Sequence, residues 1–176
     1  MPARLTLAIC LAGLALAAAG CGSKKQPTAT QWANDFCSAV STWRDSLNKA
    51  TDEVKSGSIS KDSITNAADD AKSATDTFTK TVRGLGKPPT DSGEQAQKEV
   101  NDLSDQIDAG TKKIKDSVQN VSGISGALSA ASTVTATIAT MSSHVQTTYQ
   151  NLRQLDPKGE LQDAFHEADA CQNLKL

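Results

Sequence analysis

The sequence predicts an all-α fold: an antiparallel up-down four-helix bundle followed by a short fifth C-terminal helix. Three observations predict it. From Thr28 onward apolar residues recur every three or four positions, the period of one helix face. Strand-like alternation is missing, and aromatic residues make up only 3% of the chain. Gly, Ser and Pro clusters separate the periodic runs by short connections, which favour antiparallel neighbours.

The first helix opens at Thr28, which with Gln31 three residues later has the pattern of a capping box. Its stripe is Trp32, Phe36, Val40, Trp43, Leu47, Ala50 and Val54, and Ser56-Gly57-Ser58 should end it. Ser60 can cap the second helix, with Ile64, Ala67, Ala71, Ala74, Phe78, Val82 and Leu85 on one face. Gly84, Gly86 and Pro88-Pro89 stop it. The third opens around Thr90 to Glu94 and carries Ala96, Val100, Leu103, Ile107, Ile114, Val118 and Val121. The acids Asp62, Asp69 and Asp70 precede Lys80 and Arg83 in the second helix, and Lys112, Lys113 and Lys115 come late in the third. That order suits the helix dipole. After Ser122 to Gly126 the fourth stripe runs Leu128, Ala131, Val134, Ile138, Met141, Val145, Tyr149, Leu152 and Leu155, closed by Asp156-Pro157. A single terminal helix, about Lys158 to Leu174, sets Leu161, Phe165 and Ala168 on the side of Cys171.

The chain before Thr28 has a different character. Met1 to Arg4 form a short basic start and Leu5 to Ala19 carry no charged side chain, the pattern of an export signal. The stretch is shorter than the roughly 20 apolar residues a membrane span needs. Ala18-Ala19-Gly20-Cys21 resembles the lipobox of bacterial prolipoproteins, although Ala18 stands where that motif usually has Leu. The resemblance implies that the signal, residues 1–20, is cut before Cys21 and that the Cys21 thiol receives a diacylglyceryl group with palmitate-type chains. Residues 21–27 would then be a lipidated tether and 28–176 the bundle domain, on the extracytoplasmic face of a cell membrane. The alternative is an ordinary signal cut after Ala17-Ala18-Ala19, which leaves Cys21 as a free thiol.

Of four cysteines, Cys10 leaves with the signal and Cys21 is consumed by lipid. Cys37 and Cys171 remain, in a compartment that permits disulfides. Pairing them is the one intramolecular option; two separate buried thiols are the other reading. The bundle topology agrees with the bridge. Four alternating passes return the chain to the end where the first helix began, and Cys37 lies only a few turns into that helix.

Lys and Arg number 18 against 20 Asp and Glu; loss of Arg4 with the signal leaves 17 against 20, a net charge of −3. So mild a balance argues against a nucleic-acid partner. The histidines are His144 and His166. His166-Glu167 begins like a zinc-binding H-E-x-x-H helix, but Ala170 stands where the second histidine belongs. Asp163 and His166 have the spacing of carboxylate-histidine metal bundles, yet the stripes supply no inward carboxylates from the other helices. No catalytic, cofactor or metal site is expected. Trp32 and Trp43 could stack on carbohydrate, but their stripe positions make them core. Ser117 to Leu152 holds no Asp, Glu, Lys or Arg; it reads as a helix buried on most sides with hydroxyls bonded to its own backbone, the alternative being a membrane-active or partner-binding helix.

Two end segments carry a family resemblance: Trp32-Ala33-Asn34-Asp35-Phe36-Cys37-Ser38-Ala39 with Trp43, and Ala164 to Cys171 with Leu174. They resemble small secreted or lipid-anchored helical proteins of actinobacteria. The resemblance implies a location and a paired cysteine frame rather than an activity. The expected function is a membrane-anchored, non-enzymatic helical module that binds an envelope protein or cell-wall component or serves a structural role. A small-ligand carrier or envelope enzyme using a cavity between helices is the competing expectation.

Overall fold

The stripes form helices close to where their spacing predicts. A computed structural model describes residues 27–56, 60–119, 121–156 and 158–174. The signal, Cys10, Cys21, Gly57-Ser58 and Pro157 lie outside the described residues. The helices are α1 (Ala29–Ser56), α2 (Lys61–Gly84), α3 (Gly93–Gln119), α4 (Gly123–Gln154), α5 (Glu160–Glu167) and α6 (Asp169–Gln172). No strand occurs among the described residues.

Local chemistry starts and stops these helices. Thr28 Oγ1 accepts the Gln31 N–H at 3.1 Å. Ser60 and Ser63 close a reciprocal capping box on α2, each side chain accepting the other's backbone N–H. Beyond α2 the chain turns at Gly86, whose φ of 64° favours glycine.

All seven stripe residues of α1 are buried, and so are all seven of the third stripe. α1 packs on α2, α2 on α3 and α3 on α4, while α5 and α6 lie against α1 and α5 also touches α4. The start of α1 sits beside the end of α2: Trp32 Nε1 donates to the Gly86 carbonyl (2.9 Å), and Trp43 Nε1 donates to Thr75 Oγ1 (3.2 Å). On the other pair, Asn151 Nδ2 of α4 donates to Glu99 of α3. Further along, a Cβ added to Gly110 would lie 2.7 Å from Met141 Cγ and Sδ. Glycine there permits the buried Met141 side chain to cross α3 closely.

Two expectations need correction. Leu128 is 50% exposed and Ile124 76% exposed, whereas Ala127 and Ala130 are buried. The first turns of α4 therefore present small residues to the core and leave the larger ones outside. Nor is α4 buried on most sides, because Ser125, Ser129, Ser132, Thr135, Ala136, Ala139 and Thr140 form an exposed, uncharged outer face. The expected backbone bonding by its hydroxyls is present: Thr133, Thr135, Thr137, Thr140 and Ser143 each donate to the carbonyl four residues earlier.

The single terminal helix is also two. Ala168 adopts an extended conformation (ψ 116°) between α5 and α6. Alanine has no local reason to break a helix; tertiary contacts hold the break. Asn34 Oδ1 accepts the Ala170 N–H at 3.0 Å, capping α6 from α1. At the next residue, Cys171 is joined to Cys37 by a disulfide, with Cα atoms 5.1 Å apart. Phe165 fills the space beneath, edge-on to Trp32, Phe36 and Tyr149.

The corner between α4 and α5 turns on Asp156, 7% exposed. Its Oδ1 accepts the Lys158 N–H (3.0 Å) and its Oδ2 the Leu161 N–H (3.2 Å). Gly159 completes the corner at φ 80°.

Reducing the disulfide, or changing both cysteines to Ser, should lower stability by about 2–5 kcal/mol. The change is read as an earlier urea midpoint with helical circular dichroism retained at low temperature; an unmoved midpoint would show that the bond contributes nothing. Asp156→Ala should cost about 1–3 kcal/mol, since it strips the acceptor from two backbone N–H groups. Asp156→Asn, which keeps one acceptor oxygen, should cost less in the same titration.

Candidate functional site

The stripe that buries α1 leaves a second row of residues on its flank. Asp35, Ser38, Thr42, Ser46 and Lys49 recur at helical spacing, and the facing flank of α2 carries Asp70, Ser73, Thr77 and Thr81. These side chains are mostly small, so the space between the two helices stays open toward solvent. The result is a groove of about 700 Å³.

Its floor is apolar. Trp43 and Phe78 stack at 5.2 Å beneath it, and Ala39, Ala50, Ala74 and Leu85 complete the lining. Along its walls the hydroxyls turn back on their own helices: Ser46 donates to the Thr42 carbonyl (2.9 Å), Thr77 to Ser73 (2.9 Å) and Thr81 to Thr77 (2.8 Å). Each such oxygen keeps acceptor capacity facing the groove. Charge is confined to the ends. Asp35 stands at one end and Lys49 with Asp70 at the other, and no ion pair between described residues involves any of the three.

A polar cluster lies by α5. Arg153 places its guanidinium 5.6 Å from the Tyr149 ring centroid and one nitrogen 3.2 Å from His166 Nε2. Arginine can only donate, so this His166 nitrogen is the acceptor. Thr30 Oγ1 donates to Glu167 at 3.1 Å. His144 sits half-buried on α4. No group of three or more His, Cys, Asp or Glu side chains able to hold a metal occurs among the described residues. Two exposed lysines have raised pKa values, Lys98 through its hydrogen bond and charge pairing with Asp102 and Lys158 through the same contacts with Asp91; neither lines the groove.

Of the residues singled out from the sequence, Cys37 and Cys171 are brought together, while Cys21 lies outside the described residues. Trp32 and Trp43 are 1% and 2% exposed. Neither ring face is free to stack on a sugar. Sequence reasoning missed the groove, because a flank of hydroxyls and three charges reads as an ordinary solvated face. The signal was the narrowness of that flank: five residues over four turns, none larger than threonine between the two charges. α4 is long and apolar enough to cross a membrane by length and composition, and the residues that pack it against its neighbours are Ala127, Ala130, Val134, Thr137, Met141, Val145, Thr148 and Leu152.

No family model matches the chain, and no curated protein or solved structure matches it.

Proposed function

We propose that the chain is a membrane-anchored bacterial lipoprotein, held on the extracytoplasmic face through lipid on Cys21, that works as a non-enzymatic helical binding or structural module. The Cys37–Cys171 disulfide carries this reading. Such bonds persist in oxidising compartments outside the cytoplasm, which is where the charge-free stretch Leu5 to Ala19 would send the chain. With that pair spoken for and Cys10 inside the signal, Cys21 is the one cysteine without a structural role. The lipobox-like Ala18-Ala19-Gly20 before it supplies one, and two acyl chains are what stable anchoring requires.

In this reading the helices form an antiparallel up-down-up-down four-helix bundle. The contacts of Trp32 with Gly86, of Trp43 with Thr75 and of Asn151 with Glu99 support it. α5 and α6 act as a latch across the end where α1 begins. The module's chemistry is that of a surface, an open groove with an apolar floor and a hydroxyl rim, suited to a protein partner more than to enclosing a small molecule.

Cys21→Ser should release the protein from the membrane fraction or leave an uncleaved precursor, read by fractionation and intact mass. A variant that matures and fractionates as the natural chain does removes the anchor from this reading. Replacing His144 and His166 together by Gln should leave the phenotype of a complemented deletion strain unchanged. Loss of complementation by a variant with an unaltered melting curve would promote the enzyme reading.

A further inference from the structure

The groove flank of α1 reads nearly the same in both directions. Asp35, Ser38, Thr42, Ser46 and Lys49 are spaced by three, four, four and three residues, with Thr42 at the centre, a hydroxyl on each side and opposite charges at the ends. A helix with this pattern complements a second copy of itself running the other way. At about 1.5 Å rise per residue, Asp35 and Lys49 stand roughly 21 Å apart. An antiparallel partner centred on Thr42 brings each of them opposite its counter-charge.

We propose that the α1/α2 groove is the contact face of a homodimer in which two α1 helices pair antiparallel about a two-fold axis at Thr42. In this register Asp35 meets Lys49 of the second copy, twice, and Ser38 meets Ser46, twice. Small residues at the centre let the two backbones approach. The remaining charges on α1 agree: Arg44 falls opposite Val40, Asp45 opposite Ala39, Asp52 opposite Trp32, Glu53 opposite Gln31 and Lys55 opposite Ala29, so no like charges of the two α1 helices face each other. A register shifted by one turn breaks the Asp35–Lys49 match. The pairing also supplies what the isolated chain lacks, since Lys49 would sit between its own Asp70 and the second copy's Asp35. A two-fold contact of this kind is self-complementary and closes, which limits assembly to two copies.

The face between the charges is roughly 20 Å long and two helices wide, modest beside the ~800 Å² per partner of a standard interface. Dimerisation is therefore expected at micromolar concentration, or where confinement raises the effective concentration. The inference rests on the groove and not on the anchor, and the two are tested separately.

The decisive experiment uses the full chain expressed in bacterial cells, with mild oxidation of intact membranes and of detergent-purified protein. Thr42→Cys should cross-link to itself. Ser38→Cys alone should not, whereas co-expressed Ser38→Cys and Ser46→Cys chains should link to each other. Asp35→Lys and Lys49→Asp singly should each reduce the Thr42→Cys dimer band at least tenfold, and the double exchange, which restores both pairs, should return it. Circular dichroism on the same samples confirms folding. A Thr42→Cys chain that stays monomeric in both settings overturns the dimer, as does a double exchange that fails to restore it. A Cys21→Ser chain that leaves the membrane yet still links through Cys at position 42 in concentrated solution would separate the fate of the groove from that of the anchor.

Discussion

The bond between Cys37 and Cys171 ties the third turn of α1 to the last helical turn of the described chain, across 134 residues of sequence. Much of the end of the fold where α1 begins follows from it. To bring Cys171 to α1, the chain must leave α4, turn a corner and lie back across α1 within a few residues. Asp156 and Gly159 make the corner, Phe165 fills the space under the returning strand of chain, and Asn34 caps the last turn. Each is a local contact whose energy is ordinary, about 1–3 kcal/mol for a bond to a charged group and less for a neutral one. They act together because the covalent link removes the freedom of the end they hold. In chain-entropy terms a loop this long is among the most strongly stabilised by closure, roughly 4–5 kcal/mol.

Away from that end the packing depends on small residues. α3 and α4 meet where Gly110 faces Met141 and Thr137, and α4 approaches through Ala127 and Ala130 rather than Leu128. Buried threonines recur on this theme: Thr75, Thr79, Thr111, Thr137 and Thr148 lie within the core. Thr111 and Thr137 donate to their own helices and Thr75 accepts from Trp43, so their hydroxyls are satisfied without water. A chain with few large apolar side chains thus fills its interior by bringing backbones close. The aromatic residues are concentrated where α5 crosses α1. Ion pairs add little; Arg83 bridges Asp105 and Asp108 from α2 to α3 on an exposed surface, where such contacts are worth at most about 1 kcal/mol each.

This division explains what could be read from the sequence. The stripes of α1 and α3 are buried residue for residue, and α2 departs only at Ala74 and Leu85, which are half-exposed, because large apolar residues at period 3.6 leave one face to bury. Helix starts were legible where a hydroxyl cap stands before a periodic run, as at Thr28 and Ser60. The first turns of α4 were not, since ranking by hydrophobicity selects Leu128 while close approach selects Ala127 and Ala130. The break at Ala168 was invisible for another reason. Its causes, Asn34 and Cys37, lie more than 130 residues away and alanine itself is the strongest of helix formers. The cysteine pair could be found by counting, but the groove could not. Its residues look like solvent-facing polar side chains until α2 is placed beside α1 and the space between them is seen to be open.

If Cys21 carries the proposed lipid, that anchor and the proposed α1 pairing constrain one another through the position of α1. Thr42 lies 14 residues beyond Thr28, so about 21 Å of helix separates the two-fold axis from the point where the tether begins. Residues 21–27 span at most about 25 Å when extended. In an upright bundle the antiparallel partner would begin its own α1 some 42 Å farther from the same bilayer, beyond the reach of that tether. Both lipid groups can enter one membrane only if the paired helices lie along its surface, with the two-fold axis along the membrane normal. The outer face of α4, uncharged and bearing Ile124 and Leu128 near its start, would then run parallel to the bilayer as well. Anchored upright, the protein would carry the groove into the envelope as a monomer; a recumbent pair would consume the groove and present the remaining faces. For a protein anchored as proposed, the orientation of α1 relative to the membrane, and not the identity of any single side chain, would therefore decide which surface its surroundings meet.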